Sequence, residues 1–251
     1  MTQQRFTNKI AVVTGGNSGI GLAAAQAFAK EGARVVVLGR DAETLAQAKT
    51  SLGRGAIAVQ GDVSRLADID RLIAQVSKEA GRIDVLFVNA GVALFAPVEQ
   101  SDEVLFDKQF DTNVKGAYFT IQKALPLMPK GSSIVINASS VIDQGMPNSS
   151  VYTATKAAIA SLARSLSTEL ATRGIRLNVV NPGPIETPIF ARLGLPQEAM
   201  QGMAKQIVGQ VPFGRFGSPE EIANVVLFLS SDEASYVHGT SIHVDGGMAS
   251  L

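Results

Sequence analysis

The feature that most constrains the fold is an alternation of short apolar runs with segments of helical period. The apolar runs are rich in Val, Ile and Leu and are short enough for buried strands. Such runs, separated by helices, are typical of a parallel sheet with helices on both faces. The pattern predicts an α/β fold with one doubly wound parallel sheet of about seven strands. The predicted strands are 9–14, 34–38, 56–60, 83–88, 133–136, 175–180 and 241–244.

The segments between these runs predict helices of ordinary length and one long helix. We expect the long helix, 102–127, to be broken near Gly116, where a glycine interrupts the pattern. Gly174 is expected to cap the end of the helix at 151–173, because glycine adopts the left-handed backbone there without strain. The predicted helices are 19–30, 42–51, 66–79, 102–127, 151–173, 197–208 and 220–230.

The regular alternation stops at residues 181–217, which hold five prolines. Long loops in compact domains often cover active sites, so we predict a substrate lid at 188–217. The chain shows no linker, repeat or low-complexity segment, and residues 1–251 are therefore predicted to form a single domain.

Composition excludes several classes of function. The 251 residues include 22 basic and 22 acidic side chains, so no bulk positive field attracts nucleic acid or anionic lipid. The absence of cysteine excludes a disulfide framework, a cysteine zinc site and a thiol nucleophile. His238 and His243 do not form a metal-binding motif and are expected to be structural, so we predict no metal site. Without a membrane-length apolar run or a signal-peptide pattern, we expect a cytoplasmic protein that binds neither nucleic acid nor membrane.

A glycine-rich turn joins the first strand to the first helix. The segment TGGNSGIG, from Thr14 to Gly21, places free backbone N–H groups and the helix dipole where they favour a phosphate. Gly15 permits a tight turn, Gly19 a close approach of pyrophosphate, and Gly21 close packing of helix on strand. The spacing differs from the common G-x-G-x-x-G, and a turn without a ligand is an alternative. The strand–turn–helix context favours a bound nucleotide.

A second group of residues suggests proton-transfer chemistry. Tyr152 and Lys156 are four residues apart on a predicted helix, so their side chains share one face. This pair arises readily by chance, but Ser139 lies 13 residues upstream, just after a strand, and Asn113 lies in the long helix. Ordinary alternatives are a strand-end turn for Ser139, a helix surface position for Asn113 and a solvated charge for Lys156.

Together these motifs resemble the short-chain dehydrogenase/reductase family. The family's TGxxxGxG motif corresponds to 14–21, its NNAG motif to 88–91 and its YxxxK motif to 152–156, with the upstream serine at the family's interval. Val88 replaces the first asparagine of NNAG, which puts one structural hydrogen bond in doubt, and TATK stands where SASK is common. The resemblance covers nearly the whole chain. It implies a Rossmann-type fold, a nicotinamide cofactor, a small-molecule substrate and a homotetramer.

The resemblance assigns catalytic roles to Asn113, Ser139, Tyr152 and Lys156. Tyr152 would give a proton to a carbonyl oxygen or take one from an alcohol, and Ser139 would hydrogen-bond the same oxygen. A free tyrosine has a pKa near 10, and a lysine ammonium close by is expected to lower the pKa of Tyr152. Lys156 would also bind the nicotinamide ribose, and Asn113 would hold a water that links Lys156 to solvent.

The resemblance also implies a cofactor site along the carboxyl ends of the strands. Asp62 matches the family's contact to adenine, although an N-cap or turn role is an alternative. Residues 182–187 match its nicotinamide motif, although a proline-rich turn without a ligand is an alternative. The predicted cofactor-binding residues are Gly15, Asn17, Ser18, Gly19, Ile20, Gly21, Gly39, Arg40, Asp62, Val63, Asn89, Ala90, Gly91, Tyr152, Lys156, Pro182, Gly183, Ile185 and Thr187.

The end of the second strand predicts which cofactor binds. Selection of NAD generally needs a carboxylate there, and Gly39 occupies that position. Arg40 follows, and a guanidinium can hold a 2′-phosphate and stack on adenine. Asp41 is an alternative ribose contact, but we interpret it as the N-cap of the next helix. We therefore expect NADPH or NADP+ rather than NADH or NAD+.

The predicted substrate pocket is apolar, although its residues would serve equally well as the core of the lid. Its members are Phe95, Val141, Ile142, Met146, Phe190 and Met200. These features predict an NADPH-dependent carbonyl reductase, reversible as an alcohol dehydrogenase.

Three alternative functions remain open at this point. One is an enzyme resembling 3-oxoacyl-(acyl-carrier-protein) reductase, which would need a basic patch near the lid, with Arg192, Lys205 and Arg215 as candidates. Another is an NAD(H)-dependent alcohol, sugar or steroid dehydrogenase. The last is a non-catalytic NADP-sensing protein on the same fold, although such proteins usually lack the tyrosine or the lysine.

Overall fold

A seven-stranded parallel sheet forms the centre of the molecule in the computed structural model, which describes residues 4–187 and 197–249. The strands are β1 (Ile10–Thr14), β2 (Arg34–Gly39), β3 (Ile57–Gln60), β4 (Val85–Val88), β5 (Ser133–Asn137), β6 (Arg176–Pro182) and β7 (Ser241–Val244). Their order is β3-β2-β1-β4-β5-β6-β7, and every neighbouring pair is parallel. The predicted doubly wound α/β fold is confirmed.

Eight α-helices within the described residues connect and cover the strands. They are α1 (Gly19–Lys30), α2 (Ala42–Leu52), α3 (Leu66–Glu79), α4 (Glu103–Phe110), α5 (Ala117–Ala124), α6 (Ser150–Ala171), α7 (Gln197–Val208) and α8 (Pro219–Ser230). Asp41 caps α2 as predicted, since its side chain accepts from the backbone N–H of Thr44 at 2.8 Å. Gly174 follows the end of α6 with a φ of 65°, the left-handed conformation expected of it.

Two apolar layers, one on each face of the sheet, provide the core. Leu72, Ile121 and Ile159 bring α3, α5 and α6 onto one face. Phe28 and Ile222 bring α1 and α8 onto the other. All five side chains are buried, so both faces of the sheet are shielded from water as the apolar strands require.

The long helix predicted over 102–127 is divided into two α-helices, α4 and α5. Between α4 and α5 the chain forms a π-helical segment, Asp111–Gly116, with Asn113 inside it. A π-helical turn accommodates one extra residue without ending the helix, so the predicted break near Gly116 is a change of period instead. A methyl group on Gly116 would lie 2.8 Å from the carbonyl oxygen of Val63, so this glycine permits a close approach. Hydrophobic periodicity alone does not distinguish a π-helical segment from α-helix.

Two strands differ from their predicted bounds by two residues at one end, and the others by one residue at most. β4 begins two residues later than expected, because the N–H of Ile83 donates to the carbonyl of Leu127 rather than to a strand. β6 continues to Pro182, because Asn181 and Pro182 pair with His243 and Val244 of β7. The second difference carries the start of the predicted nicotinamide motif onto the carboxyl edge of the sheet.

The strand order reverses between β1 and β4, which creates a crevice at the carboxyl ends of these neighbouring strands. In open α/β sheets, ligands bind at such a switch point. No helix in the described part of the chain is both long and apolar enough to cross a membrane.

Asp84 ties the start of β4 to the start of β1. This buried side chain accepts from the backbone N–H of Ile10 at 2.8 Å and from Nε of Arg82 at 3.0 Å. We predict that Asp84→Ala lowers the free energy of unfolding by about 1–3 kcal/mol, because a buried donor loses its partner. Urea denaturation measures the loss. Asp84→Asn keeps an acceptor oxygen and is expected to lose less, so equal losses for the two variants would contradict this role.

Candidate active site

A cavity of about 630 Å³ follows the carboxyl ends of the strands. It brings the glycine-rich turn of the first half together with the predicted proton-transfer residues of the second half. The predicted cofactor residues in its lining are Gly15, Asn17, Ser18, Gly19, Ile20, Gly39, Arg40, Asp62, Val63, Asn89, Ala90, Gly91, Tyr152, Lys156, Pro182, Gly183, Ile185 and Thr187. Ser139 lies in the same lining.

The turn between β1 and α1 is compact. Gly15 and Gly19 have φ angles of 64° and 51°, which glycine adopts without strain. A methyl group on Gly21 would collide with the carbonyl oxygen of Gly15 and lie 2.5 Å from Nδ2 of Asn89. Ser18, the N-cap of α1, makes no side-chain capping bond, so first-turn N–H groups are available to phosphate oxygens.

A chain of hydrogen bonds runs beneath the cavity from the glycine turn to the lysine. Thr14 Oγ1 accepts from the backbone N–H groups of Asn89 and Ala90 at 3.0 and 3.1 Å, and Asn89 Nδ2 donates to the Thr14 carbonyl at 3.0 Å. Asn137 Nδ2 donates to Asn89 Oδ1 at 2.9 Å. Lys156 Nζ donates to the Asn137 carbonyl at 2.8 Å. We call this run the Thr14–Lys156 chain; it couples β1, β4, β5 and α6.

Asn113 lies behind the cavity wall and is buried. Its Oδ1 accepts from Val92 N at 2.8 Å, and its Nδ2 donates to the Val92 carbonyl at 2.8 Å and to Thr155 Oγ1 at 3.0 Å. Both amide hydrogens are therefore engaged within the protein, and the side chain clamps the segment after β4. A methyl group on Gly91 would lie 3.2 Å from Asn113 Oδ1 and 3.5 Å from Lys156 Nζ, so this glycine keeps the wall open.

Ser139, Tyr152 and Lys156 form one wall of the cavity. Ser139 lies two residues after the end of β5. Tyr152 and Lys156 lie in the first two turns of α6. Lys156 Nζ lies 5.9 Å from the centre of the Tyr152 ring. The ring of Phe95 packs edge-on against Tyr152, with ring centres 5.7 Å apart, and holds the phenol against the wall.

Burial shifts the two titratable groups in opposite directions. Burial raises the pKa of Tyr152 above its ordinary value, while a hydrogen bond with Ser139 acts to lower it. Burial lowers the pKa of Lys156 to about 8. Sequence reasoning predicted a tyrosine of lowered pKa; in the protein alone that prediction is wrong, because desolvation of the phenolate outweighs the stabilising contacts.

Comparison with known proteins places this geometry in a family. The family model described as enoyl-(acyl carrier protein) reductase matches residues 15–249. Oxidoreductase asL5 of Sarocladium schorii is 44% identical over 250 residues, which cover 99% of this chain and 98% of that protein. The chain belongs to the short-chain dehydrogenase/reductase family. Relatives in this family are oxidoreductases that act on alcohol or keto groups, and this member is an enzyme of that class.

Two further relatives of this short-chain dehydrogenase/reductase match over nearly full length. A 3-oxoacyl-(acyl-carrier-protein) reductase of Thermotoga maritima is 38% identical over 253 residues, covering 97% of this chain and 99% of that protein. Among solved structures, L-sorbose reductase from Gluconobacter frateurii, complexed with NADPH and L-sorbose, has a TM-score of 0.93. It is 32% identical and covers 100% of both chains.

The family's NNAG motif is altered in this short-chain dehydrogenase/reductase, but Asn89, its second asparagine, is bonded to Thr14. Val88, in place of the first asparagine, is a buried apolar residue of β4. The bonds to Thr14 come from Asn89, the second asparagine of the motif. The substitution therefore adds apolar contact without interrupting the Thr14–Lys156 chain.

Asp62 serves as a turn residue and also lines the cavity; its contact with adenine stays a prediction. Its Oδ1 accepts from the backbone N–H and the hydroxyl of Ser64, both at 2.9 Å. Its Oδ2 lies 3.8 Å from the guanidinium of Arg40. The pair places one positive and one negative group at the nucleotide end of the cavity.

The predicted substrate residues separate into three groups. Phe95, Val141 and Met146 line the cavity. Ile142 packs against the apolar core instead. Met200 is not among the residues that line the cavity, although other residues of α7 are. Phe190 lies outside the described residues.

Sequence reasoning missed several lining residues on α2, on and just after α7, and in the C-terminal segment. These residues are Thr44, Ile207, Gln210 and Met248. Met203 and Ile207 both line the cavity and are four residues apart on α7, so helical periodicity was the signal that indicates a shared face. Met248 follows β7 in a turn, where no periodic pattern exists.

Gly21 tests the compactness of the nucleotide turn. We predict that Gly21→Ala lowers the thermal unfolding midpoint and weakens nucleotide binding by about tenfold or more, because the added carbon meets backbone atoms of the turn. Differential scanning fluorimetry and nucleotide fluorescence titration measure the two effects. Gly145→Ala is the matched control, since nothing lies within 4 Å of its added carbon. Similar behaviour of both variants would contradict a close approach at Gly21.

Proposed function

We propose that this short-chain dehydrogenase/reductase is an NADPH-dependent carbonyl reductase that also oxidises the corresponding alcohols. The observation that carries the proposal is the shared cavity: the glycine turn and the Ser139–Tyr152–Lys156 wall face the same 630 Å³ space. A hydride donor held by the turn and a proton donor on the wall then meet at one carbonyl group. The L-sorbose reductase complex with NADPH, at a TM-score of 0.93, supports this class of reaction.

The residues present suit a nicotinamide nucleotide. The backbone N–H groups in the first turn of α1 would bind the pyrophosphate. Gly91 leaves room beside Lys156 Nζ that a side chain would fill. Ile185 and Thr187 would contact the nicotinamide end, which β6 and β7 bring to the same edge. When bound, the cofactor supplies the hydride for reduction, or accepts it in oxidation.

Tyr152 is the proposed general acid in reduction and the general base in oxidation. It gives its phenolic proton to the carbonyl oxygen, while Ser139 donates a hydrogen bond to the same oxygen. Burial keeps Tyr152 protonated at neutral pH, which suits the acid of a reductase. Lys156, with a pKa of about 8, holds and releases a proton close to neutral pH and so replenishes Tyr152.

The proposed preference for NADPH rests on the end of β2. Gly39 provides no carboxylate for a ribose hydroxyl, and the exposed guanidinium of Arg40 lines the cavity beside it. Asp41 directs its side chain to the N–H and hydroxyl of Thr44, at 2.8 and 2.7 Å, as an N-cap does. These contacts favour a phosphorylated ribose over a plain one.

A second candidate, reduction of a 3-oxoacyl thioester, is favoured by the Thermotoga maritima relative. The basic patch that an acidic carrier protein would need is weakened, because Arg215 donates to both carboxylate oxygens of Glu221 at 2.9 and 2.7 Å. Lys205 lies on α7, and Arg192 lies outside the described residues. A panel of ketones, aldehydes and 3-oxoacyl thioesters at one NADPH concentration separates the candidates. Oxidation of NADPH by thioesters alone would replace the first proposal with the second.

Removal of the Tyr152 hydroxyl tests the proposed acid. Tyr152→Phe is expected to lower kcat for ketone reduction about 10²–10⁴-fold, the range of general acid catalysis, while the ring keeps its contact with Phe95. NADPH binding, measured by fluorescence titration, is expected to stay within about threefold, because a threefold change is under 1 kcal/mol. Tyr236→Phe is the control, since Tyr236 is fully exposed. Turnover of Tyr152→Phe equal to that of the control would refute the assignment.

Ser139 is tested by the pH dependence of alcohol oxidation. The Ser139 hydrogen bond lowers the pKa of Tyr152, so Ser139→Ala is expected to raise that pKa. Oxidation needs the ionised tyrosine, and the rising limb of kcat/KM against pH therefore moves to higher pH. The maximal rate is expected to fall about 10²–10³-fold as one donor to the reacting oxygen is lost. The adjacent Ser140→Ala is the control, and an unshifted limb in Ser139→Ala would remove Ser139 from this role.

Arg40 is tested by the two cofactors. Arg40→Asp is expected to lower kcat/KM for NADPH about 10–100-fold, the range of a charge-assisted hydrogen bond, and to leave NADH nearly unchanged. Steady-state kinetics with both nucleotides measure the preference. Arg54→Asp makes the same charge change at an exposed site outside the cavity lining. A wild-type enzyme that uses NADH more efficiently would contradict the proposed cofactor.

A further inference from the structure

The space above Gly39 is filled by another side chain. A methyl group on the Cα of Gly39 would lie 2.5 Å from Cγ, 2.6 Å from Oδ1 and 2.9 Å from Nδ2 of Asn17. Non-bonded heavy atoms in contact lie about 3.5–4.0 Å apart, so no side chain fits at position 39 while Asn17 keeps its place. A side chain at position 39 therefore requires Asn17, a residue of the glycine turn, to move aside.

Asn17 is held in that place by its neighbours. Its Nδ2 donates to Thr44 Oγ1 at 2.8 Å, and Thr44 Oγ1 donates to Asp41 Oδ1 at 2.7 Å. Asp41 also accepts from the backbone N–H of Thr44 at 2.8 Å as the cap of α2. Displacing Asn17 breaks a hydrogen bond that links the β1–α1 turn to the start of α2. We call Asn17, Thr44 and Asp41 the Asn17 brace.

Because the Asn17 side chain is neutral, it affects which nucleotide the site accepts. The Asn17 amide is neutral and lines the cavity beside Gly39 and Arg40. A carboxylate at position 39 would accept a bond from a ribose hydroxyl and repel a 2′-phosphate, whereas a neutral amide does not repel the phosphate. Arg40 attracts the phosphate, and Asn17 leaves no room at position 39 for a carboxylate that would repel it. The two effects are separable, because the brace depends on steric exclusion and Arg40 on charge.

We infer that Asn17, positioned by Thr44 and Asp41, is a specificity-determining residue: it fills the space that an NAD-selecting carboxylate at position 39 would need, so a change of cofactor preference at position 39 also requires a change at Asn17. This inference rests on the proposed use of NADPH. It assigns to the glycine turn a part in choosing the ribose, in addition to its contact with the pyrophosphate. Gly39 and Asn17 are then a coupled pair: an NAD-selecting carboxylate at position 39 is accommodated only together with a change at Asn17.

A double-mutant cycle tests the coupling in the full-length protein. The four proteins are wild type, Asn17→Ala, Gly39→Asp and the double variant. Thermal unfolding is measured without cofactor, and dissociation constants for NADPH and NADH are measured by nucleotide fluorescence. Gly39→Asp alone is expected to unfold at a lower temperature than wild type and to bind both nucleotides weakly. The double variant is expected to recover the unfolding temperature of Asn17→Ala and to bind NADH at least about tenfold more tightly than Gly39→Asp does.

Thr44→Val tests the brace separately, because valine has the shape of threonine without the oxygen that Asn17 uses. The backbone bond from residue 44 to Asp41 is retained in this variant. Thr44→Val combined with Gly39→Asp is expected to bind NADH more tightly than Gly39→Asp alone, since a released Asn17 can turn aside. Equal binding by these two variants would show that the brace does not hold Asn17 in place and would overturn that part of the inference.

The outcomes distinguish this inference from the proposed function. Additive effects of Asn17→Ala and Gly39→Asp on both unfolding temperature and NADH binding would overturn the inference, even where wild type prefers NADPH. A wild type that prefers NADH would overturn the proposed cofactor. Non-additive unfolding temperatures in the cofactor-free proteins would then still support the steric pair, but its role in cofactor preference would be rejected.

Discussion

The site depends on the Thr14–Lys156 chain, which joins the carboxyl ends of three neighbouring strands to the helix that carries the tyrosine. Parallel strands present their carbonyl groups at one edge, and these groups lose water when helices cover both faces of the sheet. Asn89 donates its side-chain amide to the Thr14 carbonyl, the Asn137 amide donates to Asn89 Oδ1, and Lys156 donates to the Asn137 carbonyl. The same bonds therefore serve folding and function: they pair polar groups at the crevice and hold the lysine beside Tyr152.

Burial determines the protonation of the wall in the cofactor-free protein. A higher pKa for Tyr152 and a lower pKa for Lys156 both reduce charge in a place that water reaches poorly. The neutral phenol is thus the resting form, ready to give a proton. In the proposed mechanism, oxidation needs ionised tyrosine, which requires added positive charge nearby, and an oxidised nicotinamide would supply it. The direction of catalysis is consequently linked to the redox state of the bound nucleotide.

Sequence reasoning predicted the sheet well, because uninterrupted β-branched runs and glycine-rich turns are local signals. The N-cap at Asp41 was also predicted correctly, because an N-cap depends on residues only three positions apart. The π-helical segment was not predicted, because hydrophobic periodicity does not distinguish it from α-helix. Ile142 was misplaced for the same reason: an apolar residue next to a site has the same appearance whether it faces ligand or core. The contact of Asn17 with Gly39 joins two turns that are remote in sequence, and no single motif contains both.

The number of residues in the π-helical segment Asp111–Gly116 determines how α4 and α5 are oriented relative to each other. Successive residues of an α-helix turn by about 100°, so the extra residue of a π turn sets the faces of α4 and α5 relative to each other. Loss of one residue from 111–116 would let an unbroken α-helix form, and would rotate α4 away from the face it now presents. An insertion or deletion in this region is therefore expected to release the Asn113 clamp on Val92, whereas a substitution leaves the relative orientation of the two helices unchanged.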